Sequence, residues 1–258
     1  MSRGAWALLA VCLASVSAEA PSGDVDLSGR WAMVQAYPEL ATLPLVGETL
    51  RTTVVTQLVE IVQTGSLLSL RDTYCSTVVD DGTVLVKTEI PEAFLRALRP
   101  GPRYASLAPI STGGRFVQDE YVEVRGARLA NPGEDPLPTS PSDPRVIDQD
   151  GDGFPGMSIR IRMLGFVDGT AYVVQRVRYT LEGTIVDADT IRGTIGWSTE
   201  QVVLGASTPV LRTDAPSRPH PDSSRSAFLM TRVDSSADCD VLRQRRSEWL
   251  GVLDVPLP

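Results

Sequence analysis

Asp148-Gln149-Asp150-Gly151-Asp152-Gly153-Phe154-Pro155-Gly156 is the stretch of this chain whose residue types and spacing can do chemistry. Three carboxylates recur at every second position. Gly151 and Gly153 let the backbone curl so that all three face one centre. A hard cation such as Ca2+ takes roughly six to eight oxygen ligands. The expected set is the side chains of Asp148, Asp150 and Asp152 with a backbone oxygen at Phe154. Without a cation, carboxylates this close repel one another. Further ligands would come from Asp143, Glu134 or Asp135 in the preceding loop, for an affinity in the ~0.1–1 mM class of extracellular modules. Such an ion would staple the loop to a strand starting near Met157. The competing reading is an acidic, Gly-rich turn that binds nothing specific.

The motif resembles the D-x-D-x-D-G calcium loops of EF-hands, dockerins and type 3 thrombospondin repeats. It departs from an EF-hand at Pro155, at Gly156 and at Ile159, where that family places its bidentate glutamate. Its flanks read as a Pro-rich loop and a strand, so no opening-helix sensor mechanism is implied.

Other catalytic equipment is sparse. There is no G-x-S-x-G and no H-E-x-x-H. The one histidine, His220, lies in a Pro-rich stretch. A carboxylate pair of the glycosidase kind remains as an alternative, with Asp119, Glu120 and Glu123 as candidates. In a regular strand Asp119 and Glu123 share a face with Tyr121 between them; the plain reading is a solvated strand face.

The elements that must position these groups are strands. Val, Ile, Thr and Tyr cluster in short blocks separated by Gly, Pro and Asp. Strands are expected near 29–36, 50–63, 67–75, 83–88, 115–125, 157–165, 171–181, 184–186, 190–204 and 227–233. A short helix follows Pro91, and another spans 236–250, with Ser236 as a possible N-cap. A hairpin with Asp168-Gly169-Thr170 as its loop pairs Ile161 with Val177 and Ile159 with Tyr179. It sets Arg160 against Arg178 and Arg162 against Arg176. Glu200, Glu120 and Glu123 are the candidate counter-charges, and an anion-binding stripe is the alternative. Pro-rich loops are expected near 126–147 and 205–225.

Met1 to Ala20 reads as a secretory signal: Arg3, an apolar run too short to span a bilayer, then small residues. The mature domain then covers residues 21–258, secreted or periplasmic, with no transmembrane segment. The alternative is a lipid anchor through Cys12. Removing Cys12 leaves Cys75 and Cys239, which in an exported chain imply one disulfide. The net charge of −8, from 24 Lys+Arg and 32 Asp+Glu, argues against a nucleic-acid partner. Aromatic residues make up only 6 %, which argues against the aromatic girdles of an outer-membrane barrel.

The expected fold class is all-β: an antiparallel barrel or sandwich of about eight to ten strands with a short C-terminal helix. Gly29-Arg30-Trp31 near the mature start is similar to the G-x-W opening of lipocalins and related calycins. The resemblance implies a lipocalin-like barrel with Gly29 and Trp31 at its base, and fits a late helix tied by a cysteine to an early strand. The function expected is a secreted, calcium-binding, disulfide-linked binding or structural module. Its partner would be a small apolar ligand or another extracellular protein. An extracellular carboxylate-dependent enzyme is the alternative.

Overall fold

The computed structural model describes residues 24–213 and 215–253; the expected signal segment and Cys12 lie outside them. The chain order opens with β1 (Gly29–Leu43), β2 (Gly47–Thr64), β3 (Leu67–Asp80) and β4 (Val86–Glu89). A one-and-a-half-turn helix, α1 (Glu92–Ala97), precedes β5 (Arg103–Ala108) and β6 (Arg115–Arg125). After a long loop come β7 (Met157–Met163), β8 (Val167–Asp187) and β9 (Thr190–Ala206). The chain closes with β10 (Ser217–Pro219), β11 (Ala227–Arg232) and α2 (Cys239–Val252).

All pairings between these strands are antiparallel, and eight of the strands close into a ring: β8, β6, β5, β3, β2, β1, β11, β9 and back to β8. Five strands, β1, β2, β3, β8 and β9, run the length of the barrel. The others flank them in two storeys. Along one edge of β8, residues 175–184 pair with β6 and residues 167–173 with β7. Along one edge of β1, residues 31–36 pair with β11 and residues 39–41 with β10.

Strand alternation sends every second side chain inward. In the lower storey these are large and apolar, so the barrel is filled. Trp31, Met33, Ile61, Leu70, Phe116, Leu181, Ile185, Ile191 and Phe228 form one buried cluster. The Trp31 indole N–H donates to the Leu27 carbonyl at 2.8 Å, and the Arg232 guanidinium covers its ring. Trp31 is thus fully buried at the start of β1, and Arg232 ties that end of the barrel to the incoming chain through the carbonyls of Asp26 and Ser28.

The opposite face of β1 carries Ala32 and Val34. These pack with Val54 and Leu229 against Leu242, Trp249 and Leu250 of α2, on the outside of the barrel. Asp238, not Ser236, caps α2: its carboxylate accepts the N–H groups of Asp240 and Val241, while Ser236 bonds Asp234. A bulge in β3 pairs Thr56 with Ser76 and Gln57 with Tyr74, which leaves Cys75 between them unpaired. The bulge turns Cys75 toward α2, where it forms the expected disulfide with Cys239.

The expected β7–β8 register is corrected by the structure. The turn lies at 164–166, and Ile161 faces Gly169 and Ile159 faces Ala171. Leu164 and Gly165 both take positive φ, as a tight hairpin requires. Gly169 lies inside β8, where a Cβ would meet Ser207 Oγ at 2.7 Å. The arginines therefore do not oppose each other. Arg160 pairs with Asp168, Arg162 with Glu89, Arg176 with Glu200 and Arg178 with Glu120. Arg176 and Arg178 also donate to the carbonyls of Asp135 and Gly133, pinning the first Pro-rich loop to the outer wall. With each guanidinium so engaged, the anion-stripe alternative loses its basis. The second Pro-rich loop contains β10, which pairs with β1.

Candidate functional site

The upper storey is where interior side chains stop filling the barrel. A cavity of about 470 Å3 opens there. β1 contributes Gln35, Tyr37 and Glu39, while β2 contributes Arg51, Thr53 and Val55. Val173, Gln175, Val177 and Tyr179 come from β8, and Trp197, Thr199, Gln201 and Val203 from β9. Ile159, Ile161 and Met163 of β7, with Val86 of β4 and Phe94 of α1, supply an apolar wall. Pockets of this size, mostly apolar with a few placed polar groups, suit small ligands.

Most of the polar groups gather toward the inner end. Arg103 meets Asp72 in a two-pronged ion pair, with Nε–Oδ2 at 2.5 Å and Nη2–Oδ1 at 2.6 Å, and neither side chain is exposed. Burial works against the Arg103 charge; Asp72 beside it overrides that and raises its pKa. Arg103 also bonds the Gln118 side chain. Nearer the cavity, the Arg125 Nη2 donates to Glu123 at 2.8 Å, and the Tyr74 hydroxyl donates to the same carboxylate at 2.9 Å. Glu39 and Arg51, directly opposite across β1 and β2, form a third pair at 2.5 Å. Tyr37 donates to Gln35, and its ring stands edge-on to Trp197 with centroids 5.5 Å apart. Tyr179 is buried among these groups. Loss of hydration raises its pKa well above the ordinary value, so the phenol stays protonated.

The carboxylates proposed for catalysis do not come together. A bulge in β6 between Gln118 and Tyr121 sets Asp119 and Glu120 together against the single residue Thr180 of β8. Both are exposed, and Glu120 pairs with Arg178. Glu123 alone is buried, and Arg125 and Tyr74 hold it. Glu39, Asp72 and Glu123 each have an arginine partner. The shared face expected for Asp119 and Glu123 is therefore not formed.

The aspartate loop lies between the first Pro-rich loop and β7. Ligand oxygens of Asp148, Asp150 and Asp152 lie within 4.8 Å of one another, as the spacing implied. The Asp148 carboxylate accepts the N–H groups of Gly151, Asp152 and Gly153, folding the chain around itself. Asp152 accepts from the Phe154 N–H and from the Ser158 hydroxyl. Asp150 Oδ2 accepts the Ser158 N–H at 2.9 Å. Asp150 Oδ1 is buried with no hydrogen-bond partner. Its burial, and then the charges of Asp152 and Asp148, raise the Asp150 pKa against the Ser158 bond that lowers it. A buried carboxylate oxygen without a donor, beside two more carboxylates, fits a hard divalent cation.

Phe154 stacks its ring on Tyr172, centroids 4.3 Å apart and 5° from parallel. The Gln149 amide accepts from the Gly126 N–H and donates to the Ala97 carbonyl, tying the loop to the ends of β6 and α1. Gly156 has φ +91°, and a Cβ there would lie 2.3 Å from the Val173 carbonyl, so the loop closes directly onto β8.

Two of the auxiliary ligands proposed from sequence are committed elsewhere. Asp143 pairs with Arg145 at 2.8 Å, and Asp135 accepts from Asn131. Neither they nor Glu134 belong to the carboxylate cluster. Ser158 does touch the cluster; its place two residues beyond the Gly-rich turn was the only available signal.

No helix among the described residues is long and apolar enough to cross a membrane. No protein-family model and no curated protein matches this chain.

Proposed function

We propose that the protein is an exported binding module: a disulfide-linked β-barrel whose upper cavity holds a small apolar ligand and whose aspartate loop binds Ca2+ structurally. The observation that carries this reading is the change in the barrel interior along its axis. Below, packed side chains fill it; above, similar strands enclose about 470 Å3 lined by Val, Ile, Met, Phe, Tyr and Trp. Burying a ligand's apolar surface there yields about 25 cal/mol per Å2 removed from water. Trp31 at the base, the outer helix α2 and its disulfide support the resemblance to the lipocalin arrangement. In this reading calcium holds the loop between Gly126 and Met157, which frames the edge of β7, and does no chemistry. The carboxylate-enzyme alternative loses its main support, because each acid at the cavity is already paired with an arginine.

A fluorescence titration with the neutral probe N-phenylnaphthylamine tests the ligand site. Saturable enhancement at one probe per chain is expected; no binding at micromolar probe would contradict the proposal. Calorimetry with CaCl2 on chelator-treated protein tests the loop, and no heat at millimolar calcium would remove the calcium part.

A further inference from the structure

Two independent features of the cavity describe what it takes. The first is charge balance. Arg51, Arg125 and Arg103 are matched by Glu39, Glu123 and Asp72, each within ion-pair distance. No fixed charge is left for a ligand to neutralise, so a charged head group would be buried without a counter-charge. The second is hydrogen-bonding capacity left over. Tyr179 is 3 % exposed and lines the cavity, and its hydroxyl has no hydrogen-bond partner. Gln57, the next inward residue of β2 below the cavity-lining Val55, is fully buried, and neither polar atom of its amide has a partner. Buried polar atoms are nearly always hydrogen-bonded, so groups left bare beside a cavity mark where a ligand's polar atom belongs. At the other end Leu43, Val86, Met163 and Leu211 form an apolar cluster that also lines the cavity.

We propose that the ligand is an amphipathic molecule with an uncharged, hydrogen-bonding head, an alcohol or amide, seated on Tyr179 and with its apolar tail among Val86, Ile161 and Met163. This rests on the cavity being a ligand site and adds the class of ligand. A neutral head both donates and accepts, which suits the unpartnered Tyr179 hydroxyl.

The test is displacement of bound N-phenylnaphthylamine by dodecanol, dodecanoate and dodecylammonium, which share one chain and differ in head charge. Dodecanol is expected to displace the probe at concentrations at least about tenfold lower than either ion. Tyr179→Phe is expected to remove about tenfold of that advantage, the worth of one buried hydrogen bond, with each competitor referred to the variant's own probe affinity. The variant deletes a hydroxyl with no partner, so its thermal midpoint should hold or rise. Dodecanoate or dodecylammonium competing as well as dodecanol would overturn the proposal, as would an unchanged preference in Tyr179→Phe. Failure of the probe to bind the wild-type protein is a separate result, and it would overturn the cavity reading itself.

Discussion

Arg103 and Asp72 meet inside the barrel through two parallel N–H···O bonds, with neither side chain exposed. They stand at the level where the packed lower core gives way to the cavity. Removing one partner leaves the other as a bare buried charge. Asp72→Asn is therefore expected to cost about 3–5 kcal/mol in a urea unfolding titration. That is a large share of the roughly 5–15 kcal/mol available to a folded domain. Replacing both residues by apolar ones of similar size should recover most of the loss. A single variant as stable as wild type would contradict the pair's assignment.

The aspartate loop should respond to calcium through stability. For an affinity of ~0.1–1 mM, about 10 mM CaCl2 stabilises the fold by about 1.4–2.7 kcal/mol, read as a rise in thermal midpoint over chelator-treated protein. Asp150→Asn should abolish that rise. In chelator it should cost little, because it removes one of three mutually repelling carboxylates.

The disulfide between Cys75 and Cys239 ties α2 to the β3 bulge across 164 residues of sequence. The double substitution Cys75→Ala, Cys239→Ala is expected to lower unfolding free energy by about 2–4 kcal/mol. A loss of under about 0.5 kcal/mol would mean that packing of Leu242, Trp249 and Leu250 holds the helix without it.

Asp143 carries a pH signature. The Arg145 side chain, then the Arg145 backbone N–H, hold its carboxyl at about 2, below its ordinary 3.8. A depressed folded pKa means the stabilisation is present above 3.8 and is lost as pH falls from there toward 2. Carboxyl NMR titration should show Asp143 returning toward 3.8 in Arg145→Gln. An unmoved midpoint would show that another group sets it.

Much of the fold was legible because interior alternation is written in apolar residues: Ile159, Ile161 and Met163, or Val177, Tyr179 and Leu181. Legibility failed where a residue type contradicts its position. Asp168-Gly169-Thr170 has turn composition, yet Gly169 serves close packing inside β8, while the real turn puts Leu164 at positive φ. β5 was missed because its first inward residue is Arg103, which reads as a surface charge until Asp72 is seen opposite it. The three aspartates were legible because one short loop carries them all. The cavity floor was not, since its members come from β1, β2, β3, β5, β6 and β8 and only closure of the ring assembles them.

The central claim is that the upper barrel is a ligand site, and filling it tests that most directly. Val177 lines the cavity, and Val177→Trp adds an indole to the space without removing any of the three ion pairs. The measurement is N-phenylnaphthylamine affinity of Val177→Trp against wild type, with thermal midpoints compared to show that both are folded. The account predicts micromolar binding to wild type and at least about tenfold weaker binding to the filled barrel. Equal affinity in a folded Val177→Trp would place the probe outside the barrel and contradict the account.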